Sequence, residues 1–466
     1  MGADVPGTVV PRVCRLISGP GFLAVGSTSA TQVSSSLRYR FGTGIGWNLV
    51  GTAFLQGSVF LGNIIVARLL GAEVFGVYNI VLSTLLTASG LAQFSTGITA
   101  TRYVAQYRAK DKEKVAGILC FLLRLSFISG CLGTVLVALA SNWLADNVLG
   151  RTGIAEYFVV SAAYILFSVM SGYLTGALAG LEGYRSLALI SPIQGVLHIT
   201  LLGVGAWVWG GYGAVIGLTL SSALRWILLR WVLLREADKH QIPWRGAKGR
   251  NEHNMLTRFS IPASLAGLSS MPALWLSNVF LIQQPGGYKE MGLYGAAFSL
   301  RTLIIIFPVI LNNVTSSILN FQLGVGNDER YRKLFKANLL ISVFIAILGM
   351  AVIIISGRWI LGLFGAEFQA GYPILFLLVL STVPETLQIA IYQVIQSRGR
   401  MWLSLYGVAI PRDVTLIGMA YYFTRDYGAS GLATAYTIAW TIALLCTIVI
   451  VWNLGIVRRS RRRGQE

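Results

Sequence analysis

The chain has 466 residues and a net charge of +19, yet only 12% of its residues are charged and 55% are hydrophobic. Soluble domains carry roughly 25% charged residues, so this composition excludes an ordinary soluble enzyme. Apolar runs of about 20 residues recur throughout, each long enough to cross a hydrocarbon layer about 30 Å thick as a helix.

Residues 1–40 are rich in Gly, Ser and Thr, and "LISGPGFLAV" is interrupted by Gly and Pro. This stretch reads as a flexible cytoplasmic arm rather than a cleaved signal peptide. Twelve apolar runs follow, at roughly 44–67, 76–98, 115–139, 156–179, 186–209, 212–234, 259–283, 292–318, 336–356, 373–396, 402–423 and 430–455. Backbone at membrane depth must satisfy its own hydrogen bonds, so these runs are expected to be helices. The expected fold is an all-α polytopic membrane protein of about 12 transmembrane helices, in two parallel six-helix lobes around a central cleft. The lobes span 41–236 and 258–456. Between them lies a basic cytoplasmic linker, 237–257, and a basic tail closes the chain at 457–466.

The basic excess is a topology signal rather than a nucleic-acid footprint. With even-numbered connections and both termini in the cytoplasm, only Arg68, Arg151, Lys289, Arg358 and Arg425 fall outside. Four more, Arg124, Arg225, Arg301 and Arg412, lie within helices, and the remaining Lys and Arg follow the positive-inside rule. "RRSRRR" at the C-terminal end suits contact with anionic lipid. Cys14, Cys120, Cys131 and Cys446 offer neither a disulfide framework nor metal spacing, and nothing calls for a metal or cofactor.

The chain resembles itself at a spacing of about 216 residues. Gly71, Gly76, Tyr78 and Ser83 of "GAEVFGVYNIVLS" match Gly287, Gly292, Tyr294 and Ser299 of "GYKEMGLYGAAFS". Asn63 pairs with Asn278, and "YGA" at 212 recurs at 427. Each repeat holds an even number of helices, so both enter from the same side, related by an axis along the membrane normal.

Arginines at membrane depth are costly and mark functional positions. Tyr294, Arg301, Pro308 and Asn312 fall on one stripe of the eighth run, with Arg301 about 14 Å deep, and this stripe suits a polar cavity lining. Arg412 and Asp413 follow Pro411, either pairing with neighbours or leaving Arg412 to bind an anion. Glu385 shares a face with Ser381, Gln388 and Tyr392, as a coupling carboxylate or, more simply, the neutraliser of an arginine. Arg124 stands on a stripe of small and apolar residues, and Arg225 lies nearer the cytoplasm. Asn63 and Asn278 line the cleft or, more simply, bridge helices. His198 has no ligand partners at metal spacing and reads as structural. Five of six helix-interrupting prolines lie in the second repeat, which points to that half for the binding chemistry.

"ARLLGAEVFGVYNIVLS", "TRYVAQYR" and "GALAGLEGYR" resemble the polysaccharide transporter family of oligosaccharide flippases, in the multidrug/oligosaccharidyl-lipid/polysaccharide exporter superfamily. The resemblance covers about residues 40–456. It implies a flippase that moves a polyprenyl-diphosphate-linked oligosaccharide across a bacterial inner membrane by alternating access, for surface polysaccharide assembly. It further implies a cleft lined with basic residues that meet the diphosphate, a pattern that Arg301 matches by helix and depth. Arg412, Arg124, Arg225, Tyr294, Asn312, Asn63 and Asn278 are the further candidates, from their own positions, for contact with the diphosphate or glycan. The implied partners are the lipid-linked oligosaccharide and membrane lipids, with a polysaccharide polymerase as a further candidate, no nucleic acid and a monomeric state.

Three alternatives carry other signatures. A cation-coupled multidrug antiporter of the same superfamily wants buried carboxylates, and the first repeat places none near the midplane. A membrane-embedded glycan-processing enzyme wants an acid, base or metal constellation, and none is present. A lipid-binding or structural protein without transport would not depend on Arg301. No phosphate-binding loop of the GxxxxGK[ST] type occurs, so energy comes from a gradient, the membrane potential or consumption of cargo.

Overall fold

A computed structural model describes residues 27–108, 110–243, 270–324, 328–397 and 401–453. Most of the expected N-terminal arm, most of the linker, the first part of the seventh run and the tail lie outside the described residues. Residues 47–466 form one compact unit; residues 27–46 belong to a separate unit and are helical.

Among the described residues the regular structure is entirely helical. The main helices are α1 (Ser27–Ala92), α2 (Thr96–Tyr107), α3 (Lys112–Leu139), α4 (Ala163–Gly180) and α5 (Tyr184–Lys239) in the first half. The second half holds α6 (Ser270–Ile282), α7 (Gly287–Gly324), α8 (Asp328–Phe364), α9 (Thr382–Ser397) and α10 (Ile410–Asn453). Eight segments are long and apolar enough to cross a membrane, and α6 is a shorter apolar helix. Three of the eight, of 44, 56 and 52 residues, far exceed the ~20 residues of one crossing and are broken inside. The breaks fall at Gly71, at Trp209–Gly210 and at Gly428, each glycine with positive φ. At the last two the chain turns back on itself. A Cβ on Gly205 would lie 2.1 Å from the Gly213 carbonyl, and one on Gly431 would lie 2.1 Å from that of Phe423. Counting both limbs of the three broken helices, together with α6, gives twelve apolar helical segments among the described residues, the number of apolar runs in the sequence.

The two halves share one apolar core. The ring of Phe60 lies 5.8 Å from that of Phe364, and Phe75 lies 5.9 Å from Phe368. Two details differ from the sequence reading. The run expected at 76–98 is interrupted at Phe94 and Ser95, both with positive φ. The restart lets α2 dock tightly on α4, where Thr101 donates to the Gly176 carbonyl at 2.9 Å. Second, the turn glycines Gly210 (φ 61°, ψ −140°) and Gly428 (φ 52°, ψ −131°) are structural equivalents. The late helices of the two repeats are therefore offset from the "YGA" alignment, because the turn's backbone, not its sequence, sets the register.

Candidate functional site

The seam between the halves is built from the residues that the internal repeat matched. Asn63 donates its side-chain amide to Ser299 at 3.2 Å, and its repeat mate Asn278 donates to Ser83 at 3.1 Å. A Cβ on Gly76 would fall 1.8 Å from the Tyr288 carbonyl, and one on Gly292 would fall 1.9 Å from that of Ala72. Bare glycine lets the backbones meet this closely. The asparagines bridge helices across the seam, the simpler of their two expected roles. Trp275 joins them, its indole donating to Thr84 at 2.9 Å.

At the end of the bundle that carries the Gly71 and Gly286 turns, polar contacts close the seam. Glu367 of the second half accepts from the Ala72 backbone N–H at 2.7 Å, satisfying a donor that the Gly71 break leaves free. In return, Tyr288 donates to the Leu149 carbonyl at 2.8 Å and Gln283 to that of Val148 at 2.9 Å.

The two arginines within the apolar runs of the second half are each paired with a carboxylate. Arg301 is 3% exposed and ion-paired with Glu385, and its Nε donates to Ser381 at 3.4 Å. Its guanidinium also faces the rings of Phe298 at 5.0 Å and Tyr436 at 4.7 Å. Glu385 sits in the first turn of α9, where the helix dipole favours an anion. Arg412 holds Asp413 at 2.8 Å, hydrogen-bonds Ser270 and lies 5.0 Å from the Trp440 ring. The helix α7 starts at Gly287, earlier than expected, so Arg301 lies about 21 Å along it.

The stripe through Tyr294, Arg301 and Asn312 does not line open space in this conformation. Tyr294 is buried and stacks on Phe298 at 5.8 Å. Asn312 belongs to a separate buried amide cluster, accepting from Asn338 at 2.8 Å and from Gln393 at 2.6 Å. The sequence reading passed over Phe298, Tyr436 and Trp440, although the last two recur at helical spacing. It also passed over Asn338 and Gln393, polar residues inside apolar runs.

The first half is the reverse. Arg225 occupies the centre of a stripe of α5 whose other members, Leu218, Ser221, Ser222, Leu229 and Val232, are all buried, yet Arg225 itself is exposed. Its side chain therefore opens on space inside the bundle. It has no ion pair or hydrogen bond among the described residues, and it lies within electrostatic reach of Tyr164 and His198. A ring nitrogen of His198 lies 3.1 Å from Ser221 Oγ. One turn earlier, the buried Gln194 carries an Nε2 with no acceptor among the described residues. Arg124 is likewise unpaired among the described residues, but it stands on the outer face of α3 rather than in this space.

A family model described as polysaccharide biosynthesis protein matches residues 41–316, more than half the chain. The chain belongs to the polysaccharide biosynthesis protein family. A second model, MatE, matches residues 262–422 of this family member. The chain is 22% identical over 397 residues to the EPS I polysaccharide export inner membrane protein EpsE of Ralstonia nicotianae, covering 84% of this chain and 88% of that one. It shares its fold with a multidrug resistance MATE family transporter of the MOP superfamily in an inward-facing conformation. The TM-score is 0.74 at 20% identity, covering 89% of this chain and 99% of the other. A MOP superfamily transporter from Pyrococcus furiosus, whose binding pocket is described as of reverse polarity, aligns at a TM-score of 0.67 and 20% identity, covering 90% and 96%. The chain is thus a member of the polysaccharide biosynthesis protein family with a fold shared by transporters of the MOP superfamily.

Proposed function

We propose that this polysaccharide biosynthesis protein is a flippase of the bacterial inner membrane. It carries a polyprenyl-diphosphate-linked oligosaccharide across by alternating access, with both termini in the cytoplasm. The similarity to an export protein of Ralstonia nicotianae supports the substrate class. The observation that carries the reading is Arg225, an uncompensated guanidinium opening on internal space. A guanidinium grips phosphate through paired hydrogen bonds and stays charged at every relevant pH. The unpaired amide of Gln194 adds a donor, and neighbouring Tyr164 and His198 suit sugar hydroxyls. Sequence reasoning favoured Arg301 and Arg412; their pairing with Glu385 and Asp413 makes them weaker anion sites here and moves the expected contact to Arg225.

The same pairing argues against a cation antiporter, because Glu385 and Asp413 are each already neutralised by an arginine. The closed seam at the Gly71 end fits a state open towards the cytoplasm, from which cargo is loaded. No enzymatic step is assigned to the chain; the monomer suffices, and a polymerase would consume the cargo on the far side.

The test is binding of a polyprenyl-diphosphate oligosaccharide to purified protein. Arg225→Ala is expected to weaken binding about tenfold or more, the worth of a charged hydrogen bond of about 1.5–3 kcal/mol, while the protein stays folded. Unchanged binding would remove Arg225 from the site; organic cations binding in place of the lipid would favour the antiporter.

A further inference from the structure

The face of α3 that carries Arg124 is turned away from the interior. The buried residues of this helix, Val115, Ile118, Leu119, Leu122 and Ser126, lie on one side, and Arg124 lies opposite them by helical rotation. Beyond it on the exposed side stand Ile128, Leu132, Val135 and Leu139, 51–78% exposed and wholly apolar, a surface that meets lipid chains. Arg124 is exposed among them, with no ion pair or hydrogen bond among the described residues. A bare guanidinium against hydrocarbon is costly, so an unpaired one on this face needs a ligand from the membrane itself.

The surroundings supply a route. Side chains of a helix lean towards its N-terminus, which for α3 is the end bearing Lys110, Lys112 and Lys114. Along that path the next residues on this face are Phe121, Cys120 and Gly117, and a Cβ on Gly117 would meet nothing within 4 Å. The open space at Gly117 thus leaves a shallow groove on the way from Arg124 to the lysine end of the helix, whose nearest member, Lys114, is about 15 Å away by helical rise. The exposed carboxylate on this face, Glu113, lies at the far end of the groove, about 16 Å from Arg124 by helical rise.

We propose that Arg124 docks the phosphate of an anionic phospholipid on the outer wall of the bundle, drawn in from the headgroup layer along the Gly117 groove. The lysines favour an anionic over a zwitterionic headgroup. This site is separate from Arg225 and does not depend on what the protein transports.

The experiment is native mass spectrometry of the full chain released from phosphatidylcholine vesicles doped with phosphatidylglycerol, comparing wild type with Arg124→Gln. Phosphatidylglycerol retention is expected to fall about fivefold in the variant, one basic residue's share of the attraction. Diacylglycerol, which lacks the phosphate, should not be retained by either protein. Equal phosphatidylglycerol retention by the two proteins, or equal retention of diacylglycerol, overturns the proposal. Displacement of the lipid from wild type by inorganic phosphate also overturns it, since the site would then be one for a soluble anion. Should Arg124→Gln fail to fold, Arg124→Lys carries the test. Its point charge cannot make paired hydrogen bonds, and retention should drop about twofold; wild-type retention would overturn the guanidinium's role.

Discussion

Arg301 is ion-paired with Glu385, with both side chains less than 10% exposed, and the pair is roofed by the rings of Phe298 and Tyr436. Removing one partner strands the other charge in the apolar interior. Arg301→Ala is expected to destabilise the protein by about 3–5 kcal/mol, whereas Arg301→Met combined with Glu385→Leu should recover most of that loss. Thermal unfolding in detergent checks this; a single alanine variant that melts like wild type would show that the pair is not held in solution.

The glycines at the seam make a symmetric prediction. Gly76→Ala and Gly292→Ala each drive a methyl group into a backbone carbonyl of the opposite half. Overpacking of this kind costs about 1–3 kcal/mol. Because the contacts are reciprocal, the two variants should lose similar stability in the same melting assay. Gly117→Ala, which meets nothing, should lose little.

Glu367 is a latch on the seam rather than a ligand. Its carboxylate accepts the Ala72 N–H, next to Gly71 at φ 75°. Glu367→Ala removes a cap of about 0.5–2 kcal/mol from the closed seam. The rate of thiol labelling of a Ser299→Cys probe, half-buried at that seam, should rise several-fold on a conversion of about 1.4 kcal/mol per tenfold. Labelling at the parental rate would mean that other contacts hold this end shut.

The repeat was legible because it is written in residues whose roles are local and steric. Gly76 and Gly292 must lack a Cβ, and Asn63 and Asn278 must carry an amide, so the same letters recur and the seam could be anticipated. The offset of the late turns was not legible. Gly210 and Gly428 do equivalent work inside dissimilar sequences, and only their φ and ψ values reveal it.

The sequence alone determined that this is a helical membrane protein with a doubled plan and a surplus of positive charge within its apolar runs. Those properties follow from run length, composition and spacing, which act residue by residue along the chain. Only the tertiary structure decided what each arginine meets. Whether a guanidinium faces a carboxylate, open space or lipid depends on how each helix is rotated against neighbours far away in sequence. Arg301 and Arg412 were turned onto carboxylates, Arg225 onto the side of its helix that is otherwise buried and Arg124 onto the exposed side of α3, and no local pattern distinguished the four.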